Sequence, residues 1–341
     1  MISMQILYRK ITVEDAIERL KSTEVIRTFY DIQKARISIG NRIKNREFVF
    51  CETCGIMYPK PKRRGKQVKK CANCGSKTIK IIKLESNPVL EDAHNHLLKL
   101  EKSLIAVMYE SIKDDPLWYN YLAYVKGIGP VLASFLIKYL NPARFKSVSA
   151  MWKYCGLHVE YYCPKCKKVL VHGEYYNEGN VYFCKYCGSV LEIRVPKKKK
   201  GKKVDFNPFA RGMCWRLADT LSKTGGYYKV LFQMLKARIR EKRPNITNKH
   251  LRNDALRRLA KLFIAHFYEY GCMVLGIPPR KPYPILKGYD SYIPPVLDKK
   301  TSKELRTDER MRALLARHNI PMSQYLKYVD YFMKGEVKVT E

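Results

Sequence analysis

The sequence predicts a mainly α fold interrupted by two small β insertions. Three observations point there. Apolar residues recur three and four apart over long stretches, the period of a helix buried on one face. These stretches open on residues that cap helices and close on Gly or Pro. The period breaks at two places, and each break holds two Cys-x-x-Cys pairs.

Taken in order, Val13 to Asn45 reads as a helix with Ile26, Phe29, Tyr30, Gln33, Ile37 and Gly40 on one face. Phe48-Val49-Phe50 breaks the period, and Thr78 to Leu84 reads as a strand. Asn87-Pro88 is a cap followed by a first-turn proline. It opens a helix to about Lys113 whose stripe is Leu90, Leu97, Leu100, Leu104, Val107 and Met108. The first domain is therefore a helical hairpin, 13–113, with a ribbon, 48–84, at its tip. After Asp114-Asp115-Pro116, the stretch Leu117–Leu140 reads as helix, tight turn, helix. Asn141-Pro142 turns again, and Ser147 caps a short helix to Tyr154 within the region 117–157.

The second cysteine block occupies 158–195. A lysine-rich linker, Pro196 to Lys203, leads to Asn207-Pro208, a second cap-plus-proline start. That helix stops near Ser222, ahead of Gly225-Gly226. Tyr227–Lys242 and a long helix from Thr247 to Leu275 complete the region 204–278. Residues 278–296 are rich in Pro and Tyr and read as extended. Thr301 and Glu304 form a capping-box pattern for a final helical pair within 279–341.

The cysteine spacing carries the most specific chemistry. The first block is Cys51-x-x-Cys54, sixteen residues, then Cys71-x-x-Cys74; the second is Cys163-x-x-Cys166, seventeen residues, then Cys184-x-x-Cys187. A two-residue gap lets a pair of thiolates grip one tetrahedral ion from a tight knuckle. Gly follows the second cysteine in three of the four pairs, at Gly55, Gly75 and Gly188, where the knuckle requires unusual dihedrals. The pattern predicts two zinc ribbons, each with a structural Zn2+ on four sulfurs and no open position for a catalytic water. Cys155, Cys214 and Cys272 read as buried apolar residues. His94 and His96 point to different sides of their helix, and His158 and His172 flank a site that four cysteines already complete.

The charge narrows the partner. Lys and Arg number 66 against 31 Asp and Glu, a net charge of +35. Self-repulsion of this size calls for a polyanion. A membrane binder would concentrate its charge on one amphipathic helix, whereas here it is spread over several segments. No stretch approaches a membrane span and Met1–Lys10 has no apolar core, so the expectation is a cytoplasmic protein, nucleoid-associated or within a virion. Abundant Lys, Ile and Tyr match a thermophilic bias. Between Lys60 and Lys83 there are ten Lys or Arg and no carboxylate, among them Lys62, Arg63, Arg64, Lys66, Lys69 and Lys70. The linker adds Lys197, Lys198, Lys199, Lys200, Lys202 and Lys203. Residues 229–261 hold eleven Lys or Arg, including Arg252, Arg257 and Arg258, against Glu241 and Asp254.

The run Tyr121–Phe135 contains Lys126-Gly127-Ile128-Gly129-Pro130 between two short apolar stretches. Two glycines permit a tight turn, Ile128 plugs it into the core, and the amides that open the second helix offer a place for a phosphate. Such a helix-hairpin-helix positions a protein on a nucleic-acid backbone and reads no sequence.

This run, with Asn141-Pro-Ala-Arg-Phe145, Tyr154-Cys-Gly-Leu157, Asn207–Leu221 and Gly225-Gly226-Tyr227-Tyr228, resembles the C-terminal domain of the DEDD-type insertion-sequence transposases, or bridge recombinases. The likeness runs over about residues 20 to 278, interrupted by both ribbons. It implies a DNA-binding helical body and, for the family, strand exchange by a serine nucleophile aided by carboxylates on a RuvC-like domain. Here nothing before Val13 is long enough for such a domain, and the only serine in the corresponding interval is the knuckle residue Ser189. The expectation is a non-catalytic DNA binder from a mobile element or virus. An active recombinase, alone or with a catalytic partner protein, and a structural nucleoprotein remain the alternatives. RNA is open as the partner and a homo-oligomer as the assembly.

Overall fold

A computed structural model describes residues 12–44, 47–60, 68–85, 87–179, 181–197, 201, 203–286 and 292–333. It is mainly helical, with small antiparallel sheets. The chain divides into two units, Leu20–Glu110 and a larger one of Met1–Arg19 with Ser111–Glu341.

The smaller unit is built on α1 (Val13–Lys44), which enters it from the larger one, and α2 (Pro88–Glu110). Arg36 lies against Glu101 and Gly40 against His94, so the two helices run antiparallel. The Arg36 guanidinium grips the buried Glu101 carboxylate with two bonds, 2.5 and 3.2 Å, which holds its pKa above the ordinary value. A Cβ on Gly40 would come within 3.3 Å of the His94 ring, so a small residue is needed there. Between the helices stand β1 (Glu47–Cys51), β2 (Met57–Pro59) and β3 (Ile79–Lys83), in the order β2-β1-β3.

The larger unit is organised around α8 (Asn248–Val274). From His266 to Cys272 every residue of this helix is buried, so it is surrounded on all sides. A Cβ on Gly271 would lie 2.7 Å from the Pro142 ring; glycine there permits the close approach. The helices around α8 include α5 (Val148–Tyr154), α6 (Pro208–Lys223), α7 (Tyr227–Lys242) and α11 (Glu309–Arg317). Ser147, Asn207 and Thr247 cap α5, α6 and α8 through their side-chain oxygens, as their positions predict. Two buried polar groups of α8, His266 and Glu269, have named partners. His266 sits between the Tyr228 hydroxyl and the Ile293 carbonyl, and burial drives its pKa down to about 4, which keeps it neutral. Glu269 accepts from the Tyr292 hydroxyl and meets His318 at 2.5 Å.

Three sequence expectations change. The first helix of the hairpin is not continuous from Leu117: α3 spans only Pro116–Tyr119, and a 3-10 turn follows at Leu122–Tyr124. Between them Tyr121 leaves helical geometry to bury its ring against Phe267 and Tyr270. The Pro- and Tyr-rich stretch contains a helical turn, α9 (Tyr283–Leu286). The final pair is three helices, α10 (Ser302–Thr307), α11 and α12 (Met322–Met333), because Asp308 caps a second start directly after the Thr301–Glu304 box.

The second ribbon is an insertion closed at its neck. Asn207, on its far side, donates to Tyr154, on its near side, through its backbone N–H to the carbonyl at 2.8 Å and its side-chain amide to the hydroxyl at 2.9 Å. Gly156, at φ 62°, lies under the Phe206 ring. Beyond the neck, β4 (Glu160–Cys163), β5 (Lys168–Leu170) and β8 (Glu192–Arg194) form a sheet in the order β5-β4-β8, and β6 (Tyr175–Glu178) pairs with β7 (Val181–Cys184).

Candidate functional site

Both cysteine blocks close into four-sulfur clusters. In the first, Cys51 Sγ lies 3.5 Å from Cys74 Sγ and Cys54 Sγ 3.7 Å from Cys71 Sγ. In the second, Cys163–Cys187 and Cys166–Cys187 stand at 3.4 Å and Cys166–Cys184 at 3.8 Å. A disulfide needs about 2.05 Å. A tetrahedral ion with metal–sulfur arms of about 2.3 Å spaces its ligands by about 3.8 Å, which fits both clusters.

The knuckles show why each sequence folds this way. Cys51, Cys71 and Cys184 each donate an N–H to the residue five on, and Gly55, Gly75 and Gly188 donate back to the same three cysteines. Those glycines take φ of 68°, 72° and 68°. The fourth knuckle has no glycine, and Lys167 adopts φ 52° in its place. The same backbone shape is thus imposed four times, once on a side chain that disfavours it.

The electrostatics favour a cation at each centre. Burial opposes ionisation of Cys51, but the amides of Cys54 and Thr53 outweigh it and hold the thiol at about 6. At Cys74 the Ser76 amide favours the thiolate, yet burial and the three neighbouring sulfurs push the group up to about 12. The same division appears in the second cluster. Ser189 lowers Cys187 to about 6, whereas the sulfurs of Cys187 and Cys163 raise Cys166 to about 12. Four adjacent sulfurs cannot all be charged unaided, and a dication removes that conflict. Each cluster can hold one metal ion.

The surroundings differ. The second ribbon packs Tyr161, Tyr175 and Tyr182 together at ring separations of 4.4 to 5.8 Å, beside Cys163, Cys184, Leu170 and Leu191. Tyr186 remains 60 % exposed, with its hydroxyl on Glu174 and Lys168 over its ring. In the first ribbon only Val49, Cys51 and Cys71 are buried among the described residues. Lys69 and Lys70 are exposed there; Lys62, Arg63, Arg64 and Lys66 lie outside the described residues.

At the hairpin, Ile128 is buried and plugs the turn. Gly127, at φ 94°, packs so closely on Thr224 and Leu221 at the end of α6 that a Cβ would lie 3.1 Å from the threonine hydroxyl. Gly129 provides no side-chain cap for α4 (Pro130–Leu140), and Pro130 carries no N–H. Two of the turn's amides are committed internally: Lys126 N–H donates to Asp298 at 2.6 Å and Ile128 N–H to the Val125 carbonyl. The aliphatic part of Lys126 crosses Gly226, whose hypothetical Cβ would meet it at 3.1 Å. What the turn offers outward is therefore the Lys126 ammonium and the half-exposed glycines, not every amide of the loop.

The arginines of α8 have partners that the charge count hides. Arg252 pairs with Asp219, which also meets Lys223. Arg257 and Arg258 lie 3.3 Å from Asp254, and Arg243 joins them. The Asp254 pairs with Arg257 and Arg258 are three and four residues apart on one helix, so spacing reveals them; Arg252–Asp219 joins two helices, and spacing does not. Lys197 and Lys203 are exposed, and Lys198, Lys199, Lys200 and Lys202 lie outside the described residues. His158, with Glu160 and Asp205, forms a small polar cluster at the ribbon neck that spacing does not reveal. Ser189 is a knuckle residue: its carbonyl accepts from Cys184, and its hydroxyl lies 3.4 Å from Cys187 Sγ.

No helix among the described residues is long and apolar enough to cross a membrane. Comparison of the chain with protein-family models, with curated proteins and with solved structures finds no match.

Proposed function

We propose that the protein grips the phosphate backbone of DNA, with a zinc ion stapling each ribbon, and carries out no strand chemistry of its own. Zinc is the ion best suited to four thiolates in a closed tetrahedron. The observation that carries the nucleic-acid reading is the hairpin. A buried Ile128 and a glycine pressed on α6 hold an uncapped helix start beside Lys126, on a chain of net charge +35. Lys223, next in sequence to the Thr224 that Gly127 packs on, shares Asp219 with Arg252, so the two cations together keep one net positive charge at the end of α6. The resemblance of the block order to the transposase C-terminal domain favours DNA over RNA. Ser189, tied into a metal knuckle, is a poor nucleophile, which favours binding without cleavage.

The test is binding of zinc-loaded protein to duplex DNA, single strands and RNA over a range of salt. Affinity is expected to fall steeply and linearly on a log–log plot, and Lys126→Ala is expected to reduce the slope by about 1. Indifference to every DNA and RNA at low ionic strength would overturn the reading. Nicks or covalent adducts on duplex or branched DNA with magnesium would replace it with a recombinase.

A further inference from the structure

The larger unit contains a cleft of about 710 Å3 between α5, α8 and the segment around α9. That volume is within the range of small-molecule sites, roughly 300–1,000 Å3. Leu262 and Ala265 of α8 line its interior, Trp152 forms one wall and Tyr283 another. The indole is fixed in place, because Trp152 Nε1–H donates to the Lys261 carbonyl at 3.0 Å. The Lys261 ammonium lies 4.2 Å from the centre of the same ring.

The charge of this cleft is unbalanced. Five cations line it: Arg257, Arg258, Lys261, Arg280 and Lys281. Among the described residues Asp254 serves the first two, and no carboxylate pairs with Lys261, Arg280 or Lys281. The one acid in the lining, Glu269, is occupied by His318 and Tyr292. Lys261 is half-buried, and burial, then Arg257 and Arg258, lower its pKa. An apolar cavity with aromatic walls and three cations that no carboxylate among the described residues offsets matches a ligand that joins a planar ring to an anionic group.

We propose that this cleft takes one unstacked nucleotide of a bound strand, its base between the aromatic walls and its phosphate on Lys261 and the neighbouring cations. The proposal rests on the nucleic-acid reading above and adds to it a preference for a base that has left the stack. Base–aromatic contact is tolerant of sequence, so the preference is for an extrahelical base of any identity.

The test compares three duplexes with the zinc-loaded full chain: fully paired, with one extrahelical nucleotide, and with an abasic residue at the extrahelical position. The base-bearing bulge is expected to bind roughly tenfold tighter than the other two. Ala265→Trp, which fills the cleft without changing charge, is expected to erase that difference while leaving fully paired affinity unchanged. Ala265→Leu, a smaller intrusion, is expected to weaken it, and circular dichroism checks that both variants fold. Equal affinity for base-bearing and abasic bulges alongside firm binding of paired duplex sinks the cleft proposal alone. Failure to bind any nucleic acid sinks both readings. A preference that survives in both folded variants places the base elsewhere and overturns the proposal. So does saturable binding of a fatty acid that Ala265→Trp abolishes, without any base preference.

Discussion

The two ribbons share a four-sulfur plan and a repeated knuckle, yet they are held together differently. The first has little interior beyond its sulfurs: Met57 and Ile81 are each about half exposed, and only Val49 joins two cysteines in burial. The second surrounds its cluster with three mutually packed tyrosines, two leucines and an extra strand pair. A metal site can thus be the whole core of a lobe or one part of a small apolar core. Aromatic rings packed on one another beside the sulfurs distinguish the second case from the first.

The largest expected effect is loss of a ligand. Cys71→Ser should reduce the metal content from two ions to one and remove hydrogen-exchange protection over the whole first ribbon, since structural zinc contributes on the order of 10 kcal/mol. Cys163→Ser should likewise remove one ion but leave residual protection in β6 and β7, where Tyr175 and Tyr182 still pack. Equal collapse of both ribbons would break the contrast. Next, Tyr161→Ala, at a half-buried position whose ring packs on two other tyrosines, should cost the second ribbon about 2 kcal/mol with its metal retained. Phe48→Ala, at a half-buried position of the first, should cost about 1 kcal/mol. Competition with a chelator measures both. The smallest effect concerns the odd knuckle. Lys167→Gly should stabilise the second ribbon by about 1 kcal/mol, and Gly188→Lys should destabilise it by about as much. No change at Lys167 would mean that its left-handed backbone costs nothing there.

Part of the candidate site is legible in the chain's local patterns. Cysteine spacing locates both clusters, because a two-residue gap is a local geometric demand. The caps Ser147, Asn207 and Thr247 and the plug at Ile128 follow from neighbours in sequence. The hairpin's first helix is a harder case: an apolar run near helical period does not reveal that Tyr121 must turn inward to meet α8. Spacing leaves Arg252 a free cation, because Asp219 lies on another helix. Even the fourth knuckle is only half visible: the missing glycine is plain, but not that Lys167 accepts the same dihedral.

By itself, the sequence determined what depends on short separations: helical periods, capped starts, sulfur ligands and the sign of the charge. Tertiary structure alone decided which charges are spent and which remain free. Asp298 reaches the Lys126 amide across 172 positions, and Trp152 meets Lys261 across 109. The physical reason is that hydrogen bonds and ion pairs act over a few ångströms of space, and only packing around α8 converts distant positions into neighbours.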